Sequence, residues 1–453
     1  MSASNSPQVL LVPLKPALIL GMAQKLPVLV RVQAPDADPA RQQARKPYRL
    51  SLVIDRSGSM SGEPLREAVR CARQMIDRLA PTDLASLVVF DDRVDTLAPA
   101  GAAGDRKMLH AALAHLRPGG TTNLHGGWKA GMESILPGAA SAALARVILL
   151  SDGNANAGET TASEEIAALC AAAAEQGVTT STYGLGRDFN EDLMVRMAQR
   201  GGGNHYYGDT AADLLEPFVE EFDFISSLHA RQVRLSLAAP QGVGMTLIND
   251  YPVEAREGFP MIRLPDIPFG AEAWALVELE IAAGMALDAG SQLLQAEVTC
   301  TSPDGAPIAV PDARLVLPAL SAQVWEALLA DPLVLARQAE LEAGRFLEEA
   351  RRLAEAGGWE GIARMIEVAR QRFAEYPWVT EILHGLADLA RERDSARFRK
   401  EAMYASCRMH SRVSAKEEML GSLALEADMP SFLRRKKRQG KAEFDPQPDG
   451  REP

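Results

Sequence analysis

Leu50-Ser51-Leu52-Val53-Ile54-Asp55-Arg56-Ser57-Gly58-Ser59-Met60 is the stretch from which the fold can be read. Leu50, Leu52, Val53 and Ile54 make an apolar run of the kind that is buried on both faces of a parallel sheet, and it stops at a carboxylate. Asp55, Ser57 and Ser59 then alternate along the chain. Gly58 gives the backbone freedom between the hydroxyls, so a loop at a strand end can turn three oxygen-bearing side chains toward one point. Oxygen donors suit a hard divalent cation; with two neutral hydroxyls among them, this set would hold Mg²⁺ weakly and leave positions for water or an outside ligand. Alone the pattern is weak, because Asp, Ser and Gly are also the ordinary residues of turns.

Two further stretches strengthen it. Pro118-Gly119-Gly120-Thr121-Thr122-Asn123-Leu124 is a glycine-softened loop presenting threonine hydroxyls, and Val147-Ile148-Leu149-Leu150-Ser151-Asp152-Gly153 is a second apolar strand ending on Ser-Asp-Gly. In an open α/β sheet, ligands collect at the carboxyl ends of the strands, where all three loops would lie. On these residues the segment from about Arg49 to Leu215 resembles a von Willebrand factor A domain with a metal-ion-dependent adhesion site, of the bacterial intracellular type. The motif of that family, Asp-x-Ser-x-Ser followed by a distant Thr and a distant Asp, maps onto Asp55, Ser57, Ser59, Thr122 and Asp152. Thr121 competes, but Thr122 directly precedes Asn123 and fits the pattern better. The resemblance implies a Rossmann-like fold, a mostly parallel sheet with helices on both faces. It also implies Mg²⁺ (or Mn²⁺) as cofactor at those five residues, with a partner's Glu or Asp carboxylate in the last coordination position.

The chain has 453 residues, more than one core usually organises, so two or three domains are expected. A hydrophobic fraction of 47% suffices for a core, and a formal net charge of -12 argues against general binding to nucleic acid or anionic membranes. Cys71, Cys170, Cys300 and Cys407 lack the paired spacing of a zinc site or disulfide framework and read as buried thiols in a reducing compartment. Val9 to Leu20 is interrupted by Pro13, Lys15 and Pro16, so neither a signal peptide nor a membrane span is read, and the expected location is cytoplasmic.

Taken in order, residues 1–45 read as short strands (Gln8–Val12, Leu18–Leu20, Pro27–Val32) and a solvated linker from Ala34 to Arg45. Residues 46–228 read as the von Willebrand-like domain, with helices at Glu63–Leu79, Arg106–Leu116, Leu124–Leu136, Thr160–Gln176, Asn190–Gln199 and Ala211–Leu228. Ser61 is the expected cap of the first helix. Asp91-Asp92 reads as a hairpin turn in preference to a second cation site, and His125 as a surface or outer group. Residues 229–320 carry short apolar segments between Pro, Gly and Asp turns, the texture of an antiparallel β-sandwich. Residues 8 to 33 are expected to supply its missing strands, so the α/β domain would be inserted into the sandwich. From 321 to 428 the pattern is helical, broken at Gly357-Gly358 and Tyr376-Pro377, and predicts a small bundle. The basic tail 429–453, with Arg434 to Arg438, reads as disordered.

The resulting expectation is a non-enzymatic, metal-dependent protein-binding module. Its partner would be a protein offering an Asp or Glu carboxylate, without membrane or nucleic acid. A metal-dependent hydrolase would need a base from among His125, Asp91 and Asp92; the remaining alternative is a scaffold with a vestigial metal site.

Overall fold

The computed structural model describes residues 6–36, 47–137, 144–185, 190–208, 211–256, 259–284, 291–411 and 413–415. The chain divides into two compact units. One comprises residues 46–223, and the other is assembled from both sides of it, residues 1–45 and 224–437. The linker 37–46 and the basic tail lie outside the described residues.

Residues 46–223 form an α/β fold around a six-stranded sheet. Its spatial order is Val94–Ala102, Leu84–Phe90, Tyr48–Asp55, Leu144–Ser151, Val178–Leu185, Gly202–Gly208. All neighbours run parallel except Val94–Ala102, which folds back antiparallel through the turn at Asp91 and Asp92. The hairpin is thus as expected. The Tyr48–Asp55 strand occupies the middle because nearly every residue in it is buried, as the apolar run requires. The chain leaves it first toward one edge and returns to lay Leu144–Ser151 on its other side, so the strand order reverses between these two strands. Crevices outside the carboxyl ends of strands form at such a reversal.

The helices lie within three residues of their patterns at each end, all shorter except the fifth, which is shifted by one: Glu63–Arg78, Arg106–Leu113, Leu124–Ile135, Ser163–Glu175, Glu191–Arg200 and Ala211–Ser226. Ser61 does not cap the first; Gly62, at φ 87°, is the capping residue, and Pro64 follows in the first turn. The helix Leu124–Ile135 approaches the sheet closely. A Cβ built on Gly127 would overlap the Phe90 ring and one on Gly131 would overlap Val53, so only glycine permits this spacing.

In the other unit, Gln24–Gln33 pairs antiparallel with Ala271–Ile281 along ten rungs, with Gln8–Pro13 beyond it and Val243–Leu247 on the opposite side. A second sheet is built around Leu228–Ala238 and Gln292–Thr301, with Val253–Arg256, which had no sequence counterpart, at one edge. Val28, Val30, Val32, Ala273, Ala275 and Val277 of the first sheet share a core with Val233, Leu235, Ala296 and Val298 of the second. Leu29, Trp274 and Leu276 point the other way, against Val334 and Leu341 of the helix Pro332–Glu355. Alternation along a strand therefore serves two layers at once. Helices Trp359–Arg372, Pro377–Glu392 and Ser395–Ser411 close a further core with Pro332–Glu355. The helical pattern expected to run on to about Glu426 stops sooner, because Ser414–Ala415 pairs as a strand with Ala271 and Glu272; residues 416–453 are outside the described set.

Candidate metal centre

Asp55 is the last residue of the central strand, as its sequence position suggests, and is completely buried. Its Oδ1 accepts from the Ser57 amide (2.8 Å) and its Oδ2 from the Ser151 hydroxyl (2.6 Å). Ser57 Oγ lies 3.2 Å from Ser59 Oγ across the short 3₁₀ turn Gly58–Met60, which the buried Met60 anchors. Three alternating oxygens are therefore gathered at one strand end, with Ser59 exposed and Ser57 buried.

Backbone hydrogen bonds tie the threonine loop to this turn. Gly58 N–H donates to the Gly120 carbonyl (2.9 Å) and Gly119 N–H to that of Arg56 (2.7 Å). The same loop is clamped to the third one by Asn156. The Thr122 amide donates to Asn156 Oδ1 (2.8 Å), while the Thr122 carbonyl accepts from the amides of Asn156 and Ala157. Asn123 caps the next helix by accepting from Gly126 N–H, and its own amide donates to the Asp91 carbonyl. Asp152, one residue past the neighbouring strand, accepts from Asn154 N–H through Oδ1, and its carbonyl accepts from Asn190 N–H. The loops bearing Asp55, Thr122 and Asp152 are thus linked pairwise at one edge of the sheet. Thr122 and Asp152 are both buried.

Sequence reading missed Ser151 and Asn156, which hold these loops; the only signal was their presence beside Asp152 in stretches otherwise read as strand end and turn. Of the two readings of His125, surface group or outer group of the site, the structure excludes the first. The ring is buried, with Nδ1 4.0 Å from the Glu159 carboxylate.

Burial pushes the Asp55 carboxyl up to about 6, against the hydrogen bonds from Ser151 and Ser57, and the nearby Asp152 charge pushes in the same direction as burial. The next residue in the chain gives no relief: Arg56 is turned to Asp91 (3.0 Å) and Asp95 (2.6 Å). An acidic, oxygen-lined site whose central carboxylate has no cationic partner among the described residues has the donor chemistry that a hard divalent cation satisfies. The residues therefore fit such an ion.

This fold and this loop edge define the class. Residues 50–221 match the von Willebrand factor type A domain, and the chain carries a domain of that family. Among solved structures it is similar to a von Willebrand factor type A protein from Catenulispora acidiphila (15% identity, TM-score 0.69, 91% of this chain and 98% of that one). It is also similar to the ArnB paralog VWA2 from Sulfolobus acidocaldarius (19%, TM-score 0.58, 88% and 99%). At these identities the likeness concerns the fold. A curated relative, an uncharacterized protein of Synechocystis, is 26% identical over 266 residues, 56% of this chain and 61% of its own length.

Proposed function

We propose that this protein is a metal-dependent binding module. Asp55, Ser57, Ser59, Thr122 and Asp152 would form a metal-ion-dependent adhesion site holding Mg²⁺ or Mn²⁺, and the site would capture an Asp or Glu side chain of another protein. The observation that carries the reading is the buried Asp55 carboxylate at the strand reversal, beside Ser57 and Ser59 and without a basic partner among the described residues. When bound, the cation supplies an electrophilic centre for an incoming carboxylate. The chain's own residues do the rest. Ser151 and the Ser57 amide orient the Asp55 carboxylate, Asn156 holds Thr122, and the exposed Ser59 leaves the mouth open to a partner.

The same reading assigns no catalytic residue. Asp91 is occupied by Arg56 and by the Arg93 amide, and His125 faces Glu159. We read the paired sheets as a β-sandwich into which the α/β domain is inserted, and the four C-terminal helices as a bundle bracing it. A cytoplasmic setting agrees with the four cysteines, none of them in a disulfide, and no helix among the described residues is long and apolar enough to cross a membrane.

The test is calorimetric titration of MgCl₂ and MnCl₂ into wild type and Asp55→Asn, followed by capture of partners from cell extract with and without EDTA. Heat and EDTA-sensitive capture that both vanish in Asp55→Asn are expected. Capture that persists in EDTA would put the binding surface elsewhere.

A further inference from the structure

Away from the A domain, three chemistry-bearing side chains converge that no sequence motif announced. Asp250 lies in the loop after Val243–Leu247, Glu348 on the helix Pro332–Glu355 and His410 near the end of the helix Ser395–Ser411. One ligand atom from each lies within 4.8 Å of the others. The two helices are brought together by a glycine. A Cβ on Gly344 would overlap the His410 ring, so the imidazole packs onto bare backbone one turn before Glu348 on the same helix face. His410 is nine-tenths or more buried. Its Nδ1 lies against the Asp250 carboxylate and, by hydrogen bonding to it, holds that carboxyl below the ordinary range, while its Nε2 has no hydrogen-bond partner among the described residues. A buried polar atom normally has such a partner.

The surroundings hold the three in place. Asn249, itself buried, donates through Nδ2 to the His410 carbonyl (2.8 Å) and accepts from Leu276 N–H (2.7 Å), which fixes the loop bearing Asp250 to both the helix and the sheet. Ser406, one turn before His410, donates to Glu348 Oε1 (3.1 Å) and orients that carboxylate. Arg345 also acts on Asp250, but its guanidinium donates to the Ile248 carbonyl (3.0 Å).

We propose that Asp250, Glu348 and His410 form a second cation site, selective for a divalent transition metal such as Zn²⁺ over Mg²⁺. One imidazole nitrogen and two carboxylates are the donor set of an open three-ligand zinc site, with water in the remaining position, whereas Mg²⁺ prefers oxygen alone. Two carboxylates balance the charge of the ion. A tetrahedral zinc with bonds of about 2.1 Å holds its donors about 3.4 Å apart, so on metal binding the carboxylates would close by up to about 1.4 Å and the His410–Asp250 contact would open, movements that the exposed Asp250 side chain can supply. The site is independent of the A-domain cation.

The test titrates ZnCl₂ into the full chain as wild type, as Asp55→Asn and as Asp250→Asn/Glu348→Gln, with metal content, unfolding temperature and the visible spectrum of the Co²⁺-loaded protein as readouts. Asp55→Asn should keep zinc binding, the zinc-induced rise in unfolding temperature and the cobalt bands of a nitrogen-containing site. The double variant, which spares the buried His410, should bind zinc on the order of 100-fold more weakly and lose both signatures while keeping its Mg²⁺ heat. Zinc binding unchanged in the double variant, or abolished in Asp55→Asn, overturns the assignment.

Discussion

At the scale of single residues, Asp55 shows how burial and charge divide the work of a site. Its folded-state carboxyl titrates near 6 against a usual 3.8, so the cation-free protein gains stability from the protonated form. That contribution is complete below about pH 3.8 and is lost as pH rises through 6, for about 3 kcal/mol in total. Metal-free Asp55→Asn is therefore expected to be more stable than wild type at pH 7.5, with the gap closing in acid, as urea unfolding across pH in EDTA will check. Because the ion needs the carboxylate, Mg²⁺ affinity should fall roughly tenfold per unit below about pH 6. Glu221 is the opposite case. Burial would raise its carboxyl, but the buried Arg146 guanidinium, with donors from Ser181 (2.6 Å) and Asn204 (2.6 Å), holds it below the ordinary range. Glu221→Gln removes the carboxylate that faces the buried Arg146 guanidinium and should cost about 3–5 kcal/mol in thermal or chemical unfolding.

Elements extend the same logic. The helix Leu124–Ile135 starts at the threonine loop, and Gly127 and Gly131 set its distance from the sheet. Alanine at 131 would gain about 1 kcal/mol of helix propensity, but its methyl group meets Val53 on the strand that ends at Asp55, and overpacking there costs roughly 1–3 kcal/mol. Gly131→Ala is thus expected to lower the urea midpoint and weaken Mg²⁺ binding together; a higher midpoint would mean that the helix has room to retreat. Much of this layer was legible in sequence, since Leu50–Ile54 and Val147–Leu150 read as buried strands and occupy the sheet centre. The loops after them were legible because glycine and hydroxyl residues cluster there. What stayed hidden was side-chain reach across the chain. Nothing local to Asp250, Glu348 or His410 indicates that they meet, and Ser61 has the chemistry of a cap while Gly62 has the backbone angle. Val253–Arg256 escaped because four residues bounded by Pro252 are too short for a periodic signal.

Over the whole molecule, two units with separate cores should unfold as two transitions in scanning calorimetry. MgCl₂ is expected to raise only the transition of residues 46–223, and a single transition moving as a block would show that the units melt together. The pairing of Gln33 with Glu272, 239 positions apart, also has a temporal side. At about 5–20 residues per second, a ribosome releases the strand Gln24–Gln33 roughly 10–50 seconds before the strand it must lie against. Val28, Val30 and Val32 spend that interval as an uncovered apolar edge, while the A domain emerging behind them already has all its own partners. The opening thirty residues are therefore the natural place for a chaperone to hold the nascent chain, and slowing synthesis between the two halves should increase aggregation at that edge.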